Sequence, residues 1–443
     1  MLATVAQWLV LATLTGTLVG AGTSLFLYAL FFVSAPTETA PLWLHMVLLP
    51  LGGLFNGLLL HWGYRANKTG LKDSTIAAVH QQAGRMPLAT AWIKPVAALA
   101  TLASGGSAGR TGPCSHIGGA VAAGIGKVLH LNGELRKRLV ACGISAGFAG
   151  VFGTPIAGAV YGVEILTVGY LRHDFLFPAT VAGFASFEIS KLVDAPYIEY
   201  FTIGLPDNFS EILFIKTVII GIICGLVAWL YVYLIELARR GFKRFRYRFN
   251  LWPPLMPLLG GVILAVLIIV IPTDYLGLSL PLMDHALAGD PMPYLGFLWK
   301  SILVAITLGS GFYGGVVTPQ LVIGAMTGNA FSHLLGFSPA LGGAIGLVAV
   351  VAAASDAPIA AILMGIELFD TSTGTFYASG AAIAAYLVIG HRSVYPDQLL
   401  AFTKSSWISA KPGLPLDKKT LYLSFGLRKW LSYLRKRRRG ERR

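Results

Sequence analysis

Apolar positions fill the chain in long stretches, and polar residues come as short islands between them. Runs such as 218–235 and 255–271 are long enough to cross the hydrocarbon core of a bilayer as helices. Such runs recur along nearly the whole length, so the pattern predicts a helical protein with many membrane crossings. A transmembrane barrel would instead show short strands of alternating apolar and polar residues. The apolar N-terminal run has no basic segment ahead of it and no clear small-residue cleavage site, and it reads as a first membrane helix. Glycine and proline interrupt several runs, which predicts helices that are broken or too short to span fully.

Composition agrees with this. Of 443 residues, 55% are hydrophobic and only 12% charged, against ~25% charged in a soluble domain. The net charge of +14 is uneven, and no Lys or Arg precedes Arg65. Basic residues cluster at Arg65, Lys68 and Lys72, at Arg136, Lys137 and Arg138, across 239–248, and in the tail from Arg428 onward. The positive-inside rule puts all four clusters, and both termini, on the cytoplasmic side of a cell membrane, with the loop at Glu38 outside. The clusters read as topology signals and lipid headgroup contacts, not as a nucleic-acid site. The three cysteines, Cys114, Cys142 and Cys224, have no metal-ligand spacing and read as small packing residues.

Two motifs occur twice, in the same order and at nearly the same offset. Residues 155–164 and 358–367 share the pattern P-I-A-x4-G-[VI]-E, and residues 109–118 and 315–324 share G-x3-P-x3-I-G. This predicts a duplicated membrane unit, an arrangement that many transporters use to build a midplane substrate site. The expected division is a first half, 1–238, a basic cytoplasmic connection, 239–250, a second half, 251–406, and a short basic tail, 407–443. In the tail, Leu427, Trp430, Leu431 and Leu434 beside Arg and Lys suggest an amphipathic surface segment. Hydropathy alone leaves open whether the halves are inverted or parallel.

In each G-x3-P motif, glycine lets the backbone leave a helix and proline suits the first turn of the next one. A helix that starts within a membrane exposes unpaired N–H groups at its positive dipole end. An anion is the natural partner of such an end. Two of them near the midplane would hold an anion without a full positive charge, loosely enough to let it leave.

At these residues the chain resembles the CLC family of chloride channels and proton-coupled anion transporters. Gly109-Arg110-Thr111-Gly112-Pro113 is similar to the family's G-R-E-G-P signature. Gly315-Val316-Val317-Thr318-Pro319 is similar to its second anion-binding motif. Phe152-Gly153-Thr154-Pro155-Ile156-Ala157-Gly158 resembles the F-N-A-P-L-A-G stretch between them, and Tyr395 falls where the family's pore tyrosine sits. The resemblance implies an all-α polytopic membrane fold, an inverted repeat of tilted, partly spanning helices, and a homodimer with one anion pathway per subunit. It implies an anion held by the Val316 and Val317 amides and the Tyr395 hydroxyl. Arg110, Thr111, Gly112, Thr318 and Ser74 complete the candidate anion-binding set.

The departures carry as much information. The family's gating glutamate is Thr111 here, and threonine has neither a titratable proton near neutral pH nor a negative charge. The inner proton-relay glutamate of the chloride exchangers falls at Ile165. Glu164 beside it pairs with Glu367 in the repeat, which suits a symmetric helix-end role. The family's G-S-G-I-P loop falls around Gly70–Ser74, where Ser74 could replace the missing hydroxyl. Lys72 reads either as an anion attractor or as a cytoplasmic topology charge. Arg110 reads either as a source of positive potential at the entrance or as a salt-bridge partner. Gly314–Pro319 and Met364–Phe369 are closer to the fluoride-exporting branch, whose second glutamate falls at Val316.

The expected function is therefore passive transport of chloride or other small halides, with no cofactor beyond the transported ion and no proton-coupling glutamate. The alternatives are fluoride export and a non-conducting scaffold or sensor. An enzyme is not expected, because His116, His130, His333 and His391 are scattered and no nucleophile–base pair is evident.

Overall fold

The computed structural model describes residues 2–38, 40–66, 70–196, 209–369, 372–418 and 421–423. The amphipathic stretch in the tail and Lys68 lie outside the described residues. Among those described, sixteen α-helices fall into two sets of eight. The first set is α1 (Leu2–Glu38), α2 (Leu42–Ala66), α3 (Thr75–Gln81), α4 (Thr90–Ala103), α5 (Thr111–Val128), α6 (Gly133–Phe152), α7 (Pro155–Glu164) and α8 (His173–Leu192). The second is α9 (Glu211–Arg248), α10 (Leu255–Leu267), α11 (Leu280–Ala288), α12 (Gly296–Ser310), α13 (Val317–Leu334), α14 (Pro339–Ala354), α15 (Pro358–Phe369) and α16 (Ser372–Val388).

The sets match element by element. Helices α1 and α9 have 37 and 38 residues, and α5 and α13 have 18 each. The pairings match too: α5 packs on α6 as α13 packs on α14, and α1 on α8 as α9 on α16. Glycine makes the first of these pairings close. A Cβ on Gly118 of α5 would overlap the Gly143 carbonyl of α6, and one on Gly328 of α13 would overlap that of Gly342 of α14. Small residues let membrane helices approach until their backbones touch.

Helices α1, α2 and α9 are long and apolar enough to cross a bilayer, whereas α4, α10, α12, α14, α15 and α16 are shorter apolar helices. The molecule is an all-α polytopic membrane protein of partly spanning helices. The large exposed side chains of α1 and α9, such as Val10, Phe32, Ile212 and Leu226, suit lipid contact. The halves join where α2 meets α10, where α7 meets α15, and where α5 and α13 begin. The basic stretch 239–248 is the C-terminal end of α9 and not a separate connection. Arginine and lysine are good helix formers and carry the helix on through Gly241.

Among the described residues, five short strands, β1 (Thr167–Val168), β2 (Leu399–Leu400), β3 (Ile408–Ala410), β4 (Leu414–Pro415) and β5 (Leu421–Leu423), lie outside the helical body. Strand β2 pairs in parallel with β1 and antiparallel with β4, tying the segment after Tyr395 to the end of α7. A buried ion pair between Lys404 and Asp356 fixes the same segment to the α14–α15 junction.

Candidate anion-binding site

Helices α5 and α13 start face to face. Gly109 and Gly315, each shortly before its helix, exchange two backbone hydrogen bonds of 2.8 and 2.6 Å as an isolated antiparallel bridge. There is no room for a side chain here, because a Cβ on Gly112 would lie 2.9 Å from the Gly315 Cα. Pro113 and Pro319 sit in the first turns, where a missing N–H leaves no bond unmade. The Arg110 amide donates to Thr318 Oγ1 at 3.3 Å, and the Thr111 and Thr318 hydroxyls lie 3.5 Å apart. Arg110, Thr111, Gly112, Val316, Val317 and Thr318 thus meet at one place. All but the half-buried Gly112 and Val316 are buried. The Arg110 guanidinium lies 6.0 Å over the Phe152 ring.

Tyr395 joins this place through intermediaries. Its hydroxyl is 2.8 Å from that of Tyr161 on α7. Tyr161 also reaches the Ser355 hydroxyl at 3.4 Å, and Ser355 donates to Gln320 Oε1, in the first turns of α13, at 2.9 Å. From α9, the Tyr231 hydroxyl donates to the Val316 carbonyl at 3.1 Å. Tyr161, Tyr231, Gln320 and Ser355 were not singled out from sequence. The available signal was polar side chains within otherwise apolar helices.

Ser74 stands apart from this group in its hydrogen bonding. It is the N-cap of α3, and its hydroxyl accepts from the Ala77 amide at 3.3 Å. Its O–H remains a donor. Lys72 is half-exposed and lies 4.0 Å from Asp397, just past Tyr395.

The second pair of motifs forms a reciprocal clasp. Glu164, in the last turn of α7, accepts from the Ile359 and Ala360 amides at the start of α15, at 3.1 and 2.8 Å. Glu367, near the end of α15, accepts from the Ile156 and Ala157 amides at the start of α7, at 2.9 and 2.7 Å. Each carboxylate satisfies orphan N–H groups at a positive helix end. Helices that cap each other end to start run antiparallel, so the repeat is inverted. Ile165, next to Glu164, is buried at the end of α7. Among the described residues, no group of three His, Cys, Asp or Glu side chains could hold a metal ion.

This constellation, two clasped helix starts on an inverted helical repeat, defines an anion transport protein of the CLC class. The family model described as voltage gated chloride channel matches residues 52–390, and the chain belongs to that family. A chloride/fluoride channel protein of Pseudomonas syringae pv. tomato is 34% identical over 412 residues, covering 90% of this chain and 88% of its own length. The voltage-gated ClC-type chloride channel ClcB of Salmonella dublin is 27% identical, with 88% and 91% covered. Among solved structures, a CLC-type fluoride/proton antiporter superposes with a TM-score of 0.81 at 28% identity, covering 88% of this chain and 97% of that one. A slow cyanobacterial Cl-/H+ antiporter, at 21% identity and a TM-score of 0.71, covers 86% and 94% and shares the fold.

Proposed function

We propose that this protein moves chloride or other small halides passively across a cell membrane, along a path that runs past the joined starts of α5 and α13. The observation that carries this reading is the Gly109–Gly315 clasp, which brings two positive helix ends together. In this reading the amides of Val316 and Val317 hold the anion and the Tyr395 hydroxyl faces it. Gly112, Thr318 and Arg110 shape the outer part, and Ser74 offers its O–H from the inner loop. Thr111 occupies the gate position, where it neither competes with the anion nor carries a proton. Ile165 and Val316 leave the other expected proton positions neutral. Coupled exchange needs a group that alternates between proton and anion occupancy, and none of these positions supplies one.

The reading extends to a homodimer with both termini cytoplasmic and no resident cofactor. The anion is cargo. Neither an enzymatic role nor nucleic-acid binding is part of the proposal. A second reading, fluoride export, is favoured by the Pseudomonas relative and by the fluoride/proton antiporter fold match.

The test is chloride and fluoride efflux from liposomes holding purified protein, with substitutions at Val316 and Tyr395. Efflux whose selectivity shifts in both variants supports the site. Efflux with unchanged selectivity in both counts against the site, and no efflux of either ion favours a scaffold or sensor.

A further inference from the structure

Lys94 is a buried lysine inside the apolar helix α4. Its Nζ lies 3.0 Å from Asp73 Oδ2, 3.0 Å from the Asp73 carbonyl oxygen, and 3.1 and 3.5 Å from Nε2 and Nδ1 of His116. Asp73 takes two of the three N–H groups of the ammonium, and the third lies beside the imidazole of His116, near both of its ring nitrogens. His116, on α5 five residues beyond Thr111, can accept from Lys94 only while its imidazole is neutral. The Tyr313 ring packs against both, with its centroid 5.1 Å from Lys94 Nζ and 5.9 Å from that of His116. The cluster is closed at the lysine, whose side chain is 7% exposed, and open at Asp73, which is 45% exposed. On that open side lie Lys72 and Asp397, in the loop that carries Tyr395.

We propose that Lys94, His116 and Asp73 form a site that binds a small monovalent anion together with a proton on His116. Protonation turns both ring nitrogens into donors, so His116 can no longer accept from Lys94. One Lys94 N–H then loses its acceptor, and an imidazolium N–H stands beside it. Two adjacent buried cations repel each other unless a negative group joins them. Asp73 already gives its side chain and its carbonyl to Lys94, so an incoming anion is the group that fits. The cluster is neutral as Lys94 with Asp73, gains a positive charge with the proton, and is neutral again with the anion.

The groups that face His116 are Lys94 from α4, Asp73 from the loop ahead of α3, and Tyr313 from the loop ahead of α13. Asp397 acts on Lys94 through space. Helices α1, α3, α6 and α13 also pack on α5, and among the described residues Lys94 and Asp73 are the charged groups that act on His116. By linkage, the anion raises the proton affinity of His116 by the same factor as the proton raises anion affinity. The proton enters and leaves on the side where Asp73 is exposed, so it is not carried across. The inference rests on the proposed function only in taking a small halide as the anion.

The test is calorimetric titration of the purified full-length protein with sodium chloride and with sodium fluoride, in two buffers of different ionisation enthalpy. Wild type should take up a sizeable fraction of one proton per anion on the acid side of the ordinary histidine range of about pH 6.5. Its affinity should rise several-fold as the pH falls by about one unit, up to the roughly tenfold limit for one linked proton. His116→Gln, which cannot take the proton, should lose the uptake together with the pH-dependent gain in affinity. Asp73→Asn keeps the imidazole but removes its negative neighbour, and should show less uptake at the same pH. No anion binding, binding without proton uptake in wild type, or unchanged uptake in either variant overturns the proposal. If the transport reading alone is wrong, liposomes show no flux while proton-linked binding persists.

Discussion

Glu164 on α7 accepts the Ala360 amide of α15 at 2.8 Å, and Glu367 on α15 returns the bond to the Ala157 amide of α7 at 2.7 Å. This exchange binds the two halves of the chain and makes these carboxylates helix caps. Glu164→Ala should lower stability by roughly 1.5–3 kcal/mol, the range for hydrogen bonds to a charged group. Glu164→Gln, which keeps one acceptor, should lose less. Thermal unfolding in detergent reads both. If Glu164 were a proton carrier instead, the Gln variant would change the proton coupling of transport and leave stability nearly intact.

Gly315→Ala tests the clasp. The new Cβ would lie 2.7 Å from the Gly112 nitrogen and 2.8 Å from the Gly109 carbonyl oxygen, all backbone atoms that cannot swing aside. Overpacking of this kind costs about 1–3 kcal/mol. Anion efflux should fall at least about tenfold, because the two helix ends must separate by more than an anion site tolerates. Efflux equal to wild type would mean that the path does not run past the joined starts of α5 and α13.

Thr111→Glu places a carboxylate at the first residue of α5. A helix N-terminus favours its charged form by ~0.3–1 kcal/mol. At neutral pH the carboxylate should compete with the anion and cut efflux by about tenfold or more, a cost of ~1.4 kcal/mol or greater. Protonation removes the competitor, so efflux should recover as the pH falls. Efflux measured across a pH series checks the sign. Thr111→Val should show no such dependence beyond that of wild type.

Tyr395→Phe removes one hydroxyl of the 2.8 Å pair with Tyr161. Loss of a neutral hydrogen bond is worth about 0.5–1.5 kcal/mol, so the halide selectivity ratio should shift several-fold while folding is retained. Tyr161→Phe should produce a smaller shift, since Tyr161 acts through Tyr395 and Ser355. Competition between chloride and fluoride in efflux assays measures both.

Much of this arrangement was legible in the sequence, for identifiable reasons. Glycine and proline mark helix starts through backbone chemistry, so 109–113 and 315–319 located α5 and α13 without tertiary information. The Glu164–Glu367 pair was visible as a repeat, and its symmetric helix-end role matches the observed caps. Inversion was not legible from hydropathy, because helices such as α7 and α15, with 10 and 12 residues, are too short to count as crossings. The partners of Tyr395 were hidden because Tyr161 and Ser355 approach it only through tertiary packing. The basic stretch 239–248 misled as a connection, since charge says on which side of the membrane a segment lies and not whether its helix has ended.

The most direct test of the central claim is chloride efflux from liposomes holding the purified protein, with external pH recorded and a potassium ionophore added or withheld. Uncoupled flow predicts chloride release that requires the ionophore to relieve the membrane potential and that carries no protons. Uphill proton movement driven by a chloride or fluoride gradient would contradict the account and show that another residue has taken over the role of the missing carboxylates.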